Sequence, residues 1–186
     1  MIDRLEIADF VGPEACTALR GELGASGGGA AALLGGGVQP LVRKATRIAA
    51  PAATGERLKA LFQGCMPRLE RHFGVALERC EEPQFLRYQA GDFFVAHQDG
   101  NTPLIRDESR FRKVSAILFL SRQAEAPAPE TYGGGSLVLH GPYSGPDIRV
   151  AVAPAPGTLV AFRAETTHEV VPVTHGERLT IVTWFR

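Results

Sequence analysis

Up to about residue 80 the apolar positions recur mostly at spacings of three and four; beyond it they gather in short alternating runs broken by glycine and proline. The first part therefore predicts mainly helices and the second predicts strands. Leu5 to Phe10 is a short apolar run, after which Pro13 and Glu14 suit the first turn of a helix reaching about Leu23, with Cys16, Leu19 and Leu23 on one face. From Gly24 to Gly37 glycine, alanine and serine dominate. Side chains this small pack little surface and their backbone is costly to order, so a mobile loop is expected, and without a Gly-Lys-Ser/Thr ending it is no phosphate cradle. Val42 to Ile48 predicts a strand. Between Gly55 and Phe73 an apolar stripe of Leu58, Leu61, Phe62, Cys65, Leu69 and Phe73 predicts a helix, bent or divided near Met66 because Pro67 cannot donate a hydrogen bond, and closed by Gly74. His72 has no ligand partner at useful spacing and is expected to be a surface or satisfied side chain.

After Cys80-Glu81-Glu82 eight runs rich in β-branched and aromatic residues predict strands: Pro83 to Tyr88, Phe93 to His97, Val114 to Leu120, Ser136 to Leu139, Arg149 to Val152, Thr158 to Phe162, Glu169 to Val173 and Arg178 to Phe185. Turns are expected at Ala90-Gly91, Gly133 to Gly135, Pro142 to Pro146 and Pro154 to Gly157, and a loop from Arg122 to Thr131. The expected fold is α+β: a double-stranded β-helix, or jelly roll, over residues 81–186 with the N-terminal helices packed on one sheet. Residues 1–80 then form helical and strand support within the same single domain.

Composition narrows the function. Twenty basic and twenty acidic residues among 186 leave no net charge, which argues against a general nucleic-acid binder. Cys16, Cys65 and Cys80 are odd in number and scattered, so reduced, mostly buried thiols are expected rather than a zinc site or a disulfide framework. The acidic N-terminus does not suit a signal peptide and no run approaches a membrane span, so a cytoplasmic protein without a membrane partner is expected.

Candidate chemistry lies in Tyr88 to Gly100, where His97 and Asp99 stand two apart and would project from one face of a strand. Far downstream His168 opens a second strand, and Arg178 and Thr180 share the inward face of the last one. Two histidines and a carboxylate on one face of an octahedral ion leave three positions open, the facial triad of non-haem Fe(II) oxygenases. A bidentate 2-oxo acid can fill two of these and dioxygen the third, while a guanidinium and a hydroxyl grip its far carboxylate.

With Tyr88 and Gly91 before His97-Gln98-Asp99, the Gly133-Gly134-Gly135-Ser136-Leu137 turn, the Pro156 to Phe162 strand and His168-Glu169-Val170 with Pro172, Arg178 and Trp184, the chain from about Pro83 to Arg186 resembles the Fe(II)/2-oxoglutarate-dependent dioxygenases, especially the prolyl hydroxylase group. The resemblance implies that His97, Asp99 and His168 bind iron, that Arg178 pairs with the C5 carboxylate of 2-oxoglutarate, and that Tyr88 helps to hold the co-substrate. Prolyl hydroxylases often carry a tyrosine where this chain has Phe119, and Thr180 is expected to supply the missing hydroxyl. Arg112 and Trp184 match positions beside a peptide substrate, with the loop from Asp99 to Arg112 lying above the metal. His140 and His175, each beside a glycine, are expected in exposed loops. The implied activity is hydroxylation of a C–H bond with Fe(II), 2-oxoglutarate and O2, releasing succinate and CO2, with ascorbate as a reductant. Retention of Asp99 favours hydroxylation over halogenation. A prolyl residue of a protein or peptide is the first expected substrate; the alternatives are a free amino acid or small metabolite, or a jelly-roll binding module without turnover.

Overall fold

The computed structural model describes residues 2–32, 38–103, 105–142 and 147–186. In chain order the elements are β1 (Arg4–Ile7), α1 (Pro13–Gly24), β2 (Gly28–Ala30), β3 (Arg43–Lys44), β4 (Thr46–Ile48), α2 (Ala52–Gly64), α3 (Met66–Phe73), β5 (Gln84–Tyr88) and β6 (Phe93–His97). A 3-10 turn (Glu108–Phe111) leads to β7 (Val114–Phe119), β8 (Arg122–Gln123), β9 (Thr131–Gly134), β10 (Leu137–His140), β11 (Arg149–Val152), β12 (Leu159–Arg163), β13 (His168–Val170), β14 (Val173–Gly176) and β15 (Arg178–Phe185). A seven-stranded sheet in the order β1-β12-β7-β15-β5-β4-β2 faces a five-stranded sheet, β11-β10-β13-β6-β3, and a small sheet, β14-β9-β8, joins them at one end.

Strand alternation divides the buried residues into two cores. From β7, Val114, Ala116 and Leu118 join Leu179, Ile181 and Phe185 of β15 beneath the helices, meeting Leu19, Leu23, Leu58, Phe62, Leu69 and Phe73. The intervening residues, Ile117 and Phe119 with Val182 and Trp184, face the other way into the roll, against Leu137, Leu139 and Val170. Both central strands are buried on both faces, which is why they read as nearly continuous apolar runs. The expected jelly roll with helices on one sheet is what forms. β1 adds to one edge of the large sheet and β4 with β2 to the other.

Several local expectations change. The Val42 to Ile48 strand is two: β3 pairs with β6 in the five-stranded sheet, while β4 pairs with β5 in the seven-stranded one, so the chain changes sheets at the buried Ala45. Within the glycine-rich stretch residues 28–30 form an edge strand on β4, because backbone pairing needs no side-chain bulk; residues 33–37 of that stretch lie outside the described residues. The long helix begins at Ala52 and is divided at Cys65, two residues before Pro67, and Gly74 closes it with φ +63, a left-handed conformation that a side chain would disfavour. Glu169 to Val173 is also divided, β13 and β14 lying in different sheets on either side of Pro172, which has no N–H to give a ladder. The Arg122 to Thr131 loop starts with the short β8, and the first two of the three glycines belong to β9. Of the Pro142 to Pro146 turn, residues 143–146 lie outside the described residues. His72 is satisfied, paired with Asp3 at 3.1 Å. All three cysteines are free, Cys16 and Cys80 buried and Cys65 half-buried. No helix among the described residues is long and apolar enough to cross a membrane.

Candidate active site

The mouth of the roll opens between the two large sheets, where β6 and β13 run antiparallel with His97 opposite His168. This register sets the two imidazoles side by side, ring centroids 4.2 Å apart. Each is fixed from behind. His97 Nδ1 donates to the Val95 carbonyl at 2.8 Å and His168 Nδ1 to the Thr166 carbonyl at 2.9 Å, so both rings turn Nε2 to the interior. Phe94 stacks on His97 at 3.6 Å and Phe162 meets His168 edge-on at 4.7 Å.

Asp99 stands between the two Nε2 atoms, its Oδ1 3.5 Å from His97 and its Oδ2 3.4 Å from His168. It does not continue the strand. β6 ends at His97, and Asp99 is turned inward by its own N–H, which donates to the Ala164 carbonyl at 2.9 Å, while Ser115 Oγ donates to Oδ2 at 2.7 Å. One ligand atom from each of the three residues falls within 4.8 Å of the others. Burial pushes the Asp99 carboxyl up, but His168, His97 and the Trp184 indole outweigh it and hold it well below the usual carboxylate range. Burial and the neighbouring His97 bring His168 down to about 4, so it is a neutral imidazole at neutral pH, the form that ligates metal. A buried carboxylate and two pre-oriented imidazoles are a donor set fitted to a divalent cation.

Beyond this cluster a cavity of about 270 Å³ runs toward β5 and β15, with Tyr88, Arg178 and Thr180 in its lining. Arg178 faces Tyr88 across the β5–β15 ladder and is only 1% exposed. Its Nη1 donates to Thr180 Oγ1 at 3.3 Å, and its Cζ lies 5.2 Å from the Tyr88 ring and 5.0 Å from that of Phe119. Its Nε is buried with no partner among the described residues. A guanidinium in this state is short of an acceptor. Gly135 shapes the same corner: a Cβ there would lie 3.1 Å from the Tyr132 ring and 3.2 Å from Arg178 Cδ, and its φ of +60 already suits glycine.

Arg112 and Trp184 also line the cavity, as a stacked pair with the guanidinium carbon 3.8 Å over the indole. Arg112 is not free, however. Its Nε and Nη2 donate to the two oxygens of Glu81 at 3.0 and 2.6 Å, and Arg186 Nε donates to Glu81 Oε1 at 2.7 Å. Burial alone would push the Glu81 carboxyl up, but the two guanidiniums outweigh it and hold it below the usual carboxylate range. The stability it contributes is therefore present at neutral pH and lost as pH falls through that lowered value. Glu81→Gln keeps the shape but removes the charge; it is expected to cost roughly 1–2 kcal/mol at pH 7, and the loss should shrink toward acid in urea titrations run at several pH values.

Three features escaped the sequence reading. Tyr132 is fully buried beside Arg178, its hydroxyl without a hydrogen-bond partner among the described residues and its pKa pushed up by burial against the pull of that guanidinium. Ser115 could have been found, since strand alternation sets it on the inward face with Ile117 and Phe119. The third is the lining by Ala32, Arg43 and Arg47, which the N-terminal part supplies. Of the described residues in the loop expected above the metal only Asp99 and Arg112 reach this cavity, and its later part is a 3-10 turn capped by Asp107. His140 and His175 are strand residues rather than exposed loop positions: His140 ends β10, half-buried and 3.0 Å from Glu169, and His175 lies in β14 with its Nε2 buried.

The family model of the 2OG-Fe(II) oxygenase superfamily matches residues 83–186, more than half of the chain. The chain belongs to this superfamily. Among its relatives a PKHD-type hydroxylase of Shewanella sp. (strain MR-7) is 36% identical over 104 residues, which are 56% of this chain and 42% of that protein. The chain spans about half the length of the curated relatives it matches. A prolyl-4-hydroxylase from Pseudomonas putida superposes with a TM-score of 0.74 and 25% identity, covering 100% of this chain and 93% of its own. The fold is shared more widely, with a TM-score of 0.76 and 18% identity to a Trichoplax adhaerens prolyl hydroxylase bound to a hypoxia inducible factor peptide, over 98% of this chain and 83% of that one. Membership in the superfamily implies Fe(II), 2-oxoglutarate and O2, and the donor set and the unsatisfied Arg178 suit the first two.

Proposed function

We propose that this protein is an Fe(II)- and 2-oxoglutarate-dependent hydroxylase acting on a prolyl residue of a protein or peptide. The single observation that carries the reading is the convergence of His97, Asp99 and His168 at one end of a cavity whose other wall holds a buried, incompletely satisfied Arg178. His97, Asp99 and His168 hold the iron, and Arg178 with Thr180 grips the C5 carboxylate, flanked by Tyr88. Phe119 offers only its ring, so Thr180 is the one hydroxyl that hydrogen-bonds Arg178 from the same strand.

Iron and 2-oxoglutarate supply the oxidising power, one oxygen atom of O2 passing to the hydroxylated carbon and the other to succinate as CO2 leaves. The protein's own groups do the positioning. The carbonyls of Val95 and Thr166 keep both imidazoles turned inward, and Ser115 steadies the carboxylate. Phe94, Phe162 and Leu137 keep water from the reacting centre, and the Arg112–Trp184 pair makes the wall against which the substrate rests. The similarity to prolyl hydroxylases supports the choice of a prolyl target.

The test is succinate release by the protein supplied with Fe(II), 2-oxoglutarate and O2 against a panel of prolyl peptides and free amino acids, with products weighed by mass spectrometry. Peptides are expected to gain one oxygen at proline. Gain on free amino acids alone would replace the substrate class, and tight metal binding without succinate on any member of the panel would leave only a binding module.

A further inference from the structure

We propose that Arg43 and Arg47 form a second anion subsite in the cavity, one that takes a carboxylate of the molecule being hydroxylated; the inference rests on the hydroxylase reading above. The five residues from Arg43 to Arg47 carry the chain from one sheet to the other at the cavity. On the β3 side Arg43 pairs in register with Phe94, whose other neighbour is Val170. On the β4 side Arg47 pairs with Leu86, which in turn faces Thr180. All six residues line the cavity, so the two arginines enter it from opposite sheets.

Their partners are the telling feature. Arg43 is 8% exposed, and its guanidinium carbon lies 4.7 Å over the Phe94 ring, which itself stacks on His97. One of its five N–H donors goes to the Ala32 carbonyl at 3.2 Å, and its Nε is buried with no partner among the described residues. Arg47 has no ion-pair partner among the described residues. Apart from Arg178, which is kept for 2-oxoglutarate, neighbouring cations are matched: Lys44 lies 3.3 Å from Asp92, and Arg112 is held by Glu81. Among the described lining residues the only acid is Asp99, which is turned to the two histidines.

A buried guanidinium without a counter-charge is costly to keep unless a ligand supplies one. 2-Oxoglutarate spends its charges on the metal and on Arg178, which leaves the Arg43–Arg47 pair for the other reactant. The planar fork of Arg43, which lies over the Phe94 ring that stacks on His97, matches the two oxygens of a carboxylate. Such a subsite selects an acidic substrate: a C-terminal carboxylate or an acidic side chain next to the oxidised residue.

Trp184, the sole tryptophan and a cavity residue, reports occupancy by its fluorescence. The protein loaded with Zn(II) and 2-oxoglutarate is titrated with N-acetyl-L-proline and its amide, and with acetyl-Pro-Glu-amide and acetyl-Pro-Gln-amide. The acid of at least one pair is expected to bind about tenfold or more tightly than its neutral partner; the first pair answers for a C-terminal carboxylate and the second for a side chain. In the Arg43→Gln/Arg47→Gln double variant this preference should vanish with 2-oxoglutarate affinity unchanged, and the exposed single variant Arg47→Gln, which does not disturb the interior, should lose part of it. Equal affinity within both pairs, absence of binding by all four, or a preference that survives in the double variant overturns the subsite. Parallel loss of 2-oxoglutarate binding overturns it too, assigning the arginines to the co-substrate. The two readings separate in the Fe(II) form: an acid preference without succinate leaves the subsite and removes the hydroxylase, whereas turnover of neutral peptides alone does the reverse.

Discussion

Replacing His168 with alanine is expected to abolish 2-oxoglutarate turnover and to weaken Fe(II) binding by more than about 100-fold, since loss of groups that merely orient a ligand already costs 10- to 100-fold. The reason is geometric. His168 reaches the cluster from β13, the strand opposite the one that carries His97, so its removal leaves two donors from a single short stretch of chain. Anaerobic titration of Fe(II) and 2-oxoglutarate, followed by visible absorption, measures the loss without turnover. The metal-free variant should keep its far-ultraviolet circular dichroism, because the ring abuts Phe162 at an edge rather than filling the centre of either core. Retained metal affinity would remove His168 from the site, and loss of the fold would make the substitution uninformative about ligation, in which case His168→Gln, closer in volume, decides.

The strands of the roll were legible because burial on one or both faces writes itself into the sequence: β7 and β15 are apolar almost throughout, and the inward and outward residues alternate without error. What failed were places where pairing rather than side-chain pattern decides. β3 and β4 look like one strand from Val42 to Ile48 because the apolar character does not lapse at Ala45, yet the ladder partner changes there. The edge strand at residues 28–30 is built of glycine and alanine and has no pattern to read. Pro172 was visible as a residue without an N–H, but not as the point where the chain leaves one sheet for another.

In the site, His97, Asp99 and His168 were legible together, though strand alternation alone does not account for the meeting of His97 and Asp99. They meet because the chain turns at the end of β6 and is tied to Ala164, not because a strand presents every second residue. Arg178 and Thr180 do follow strand alternation, and their hydrogen bond confirms the shared face. Tyr132, Glu81 and the Arg43–Arg47 pair were not legible. Each acts through a partner distant in sequence: Tyr132 through Arg178, Glu81 through Arg112 and Arg186, and the two arginines through a cavity formed by strands more than thirty residues further along.

Arg178→Met is expected to weaken 2-oxoglutarate binding roughly 10- to 150-fold, the equivalent of losing a charge-assisted pair worth about 1.5–3 kcal/mol. Methionine fills much of the same volume, so the comparison isolates charge better than truncation, which would open a hole beside Phe119 and Tyr132 in a fully buried corner. Fe(II) affinity measured without co-substrate should stay within about threefold of the parent, because Arg178 stands on β15 at the far end of the cavity and contacts none of the three metal-facing groups. The apparent KM for 2-oxoglutarate and its anaerobic affinity should move together. Thr180→Val gives the matching half of the argument: it removes the hydroxyl that meets Arg178 at 3.3 Å while keeping the branched shape, and a loss smaller than that of Arg178→Met is expected in the same titration. Equal loss of metal and co-substrate in Arg178→Met would mean that the guanidinium holds the roll together rather than the C5 carboxylate. An unchanged affinity would mean that the carboxylate is bound elsewhere, and Arg43 and Arg47 would then be the cations without an ion-pair partner, among the described lining residues, left to receive it.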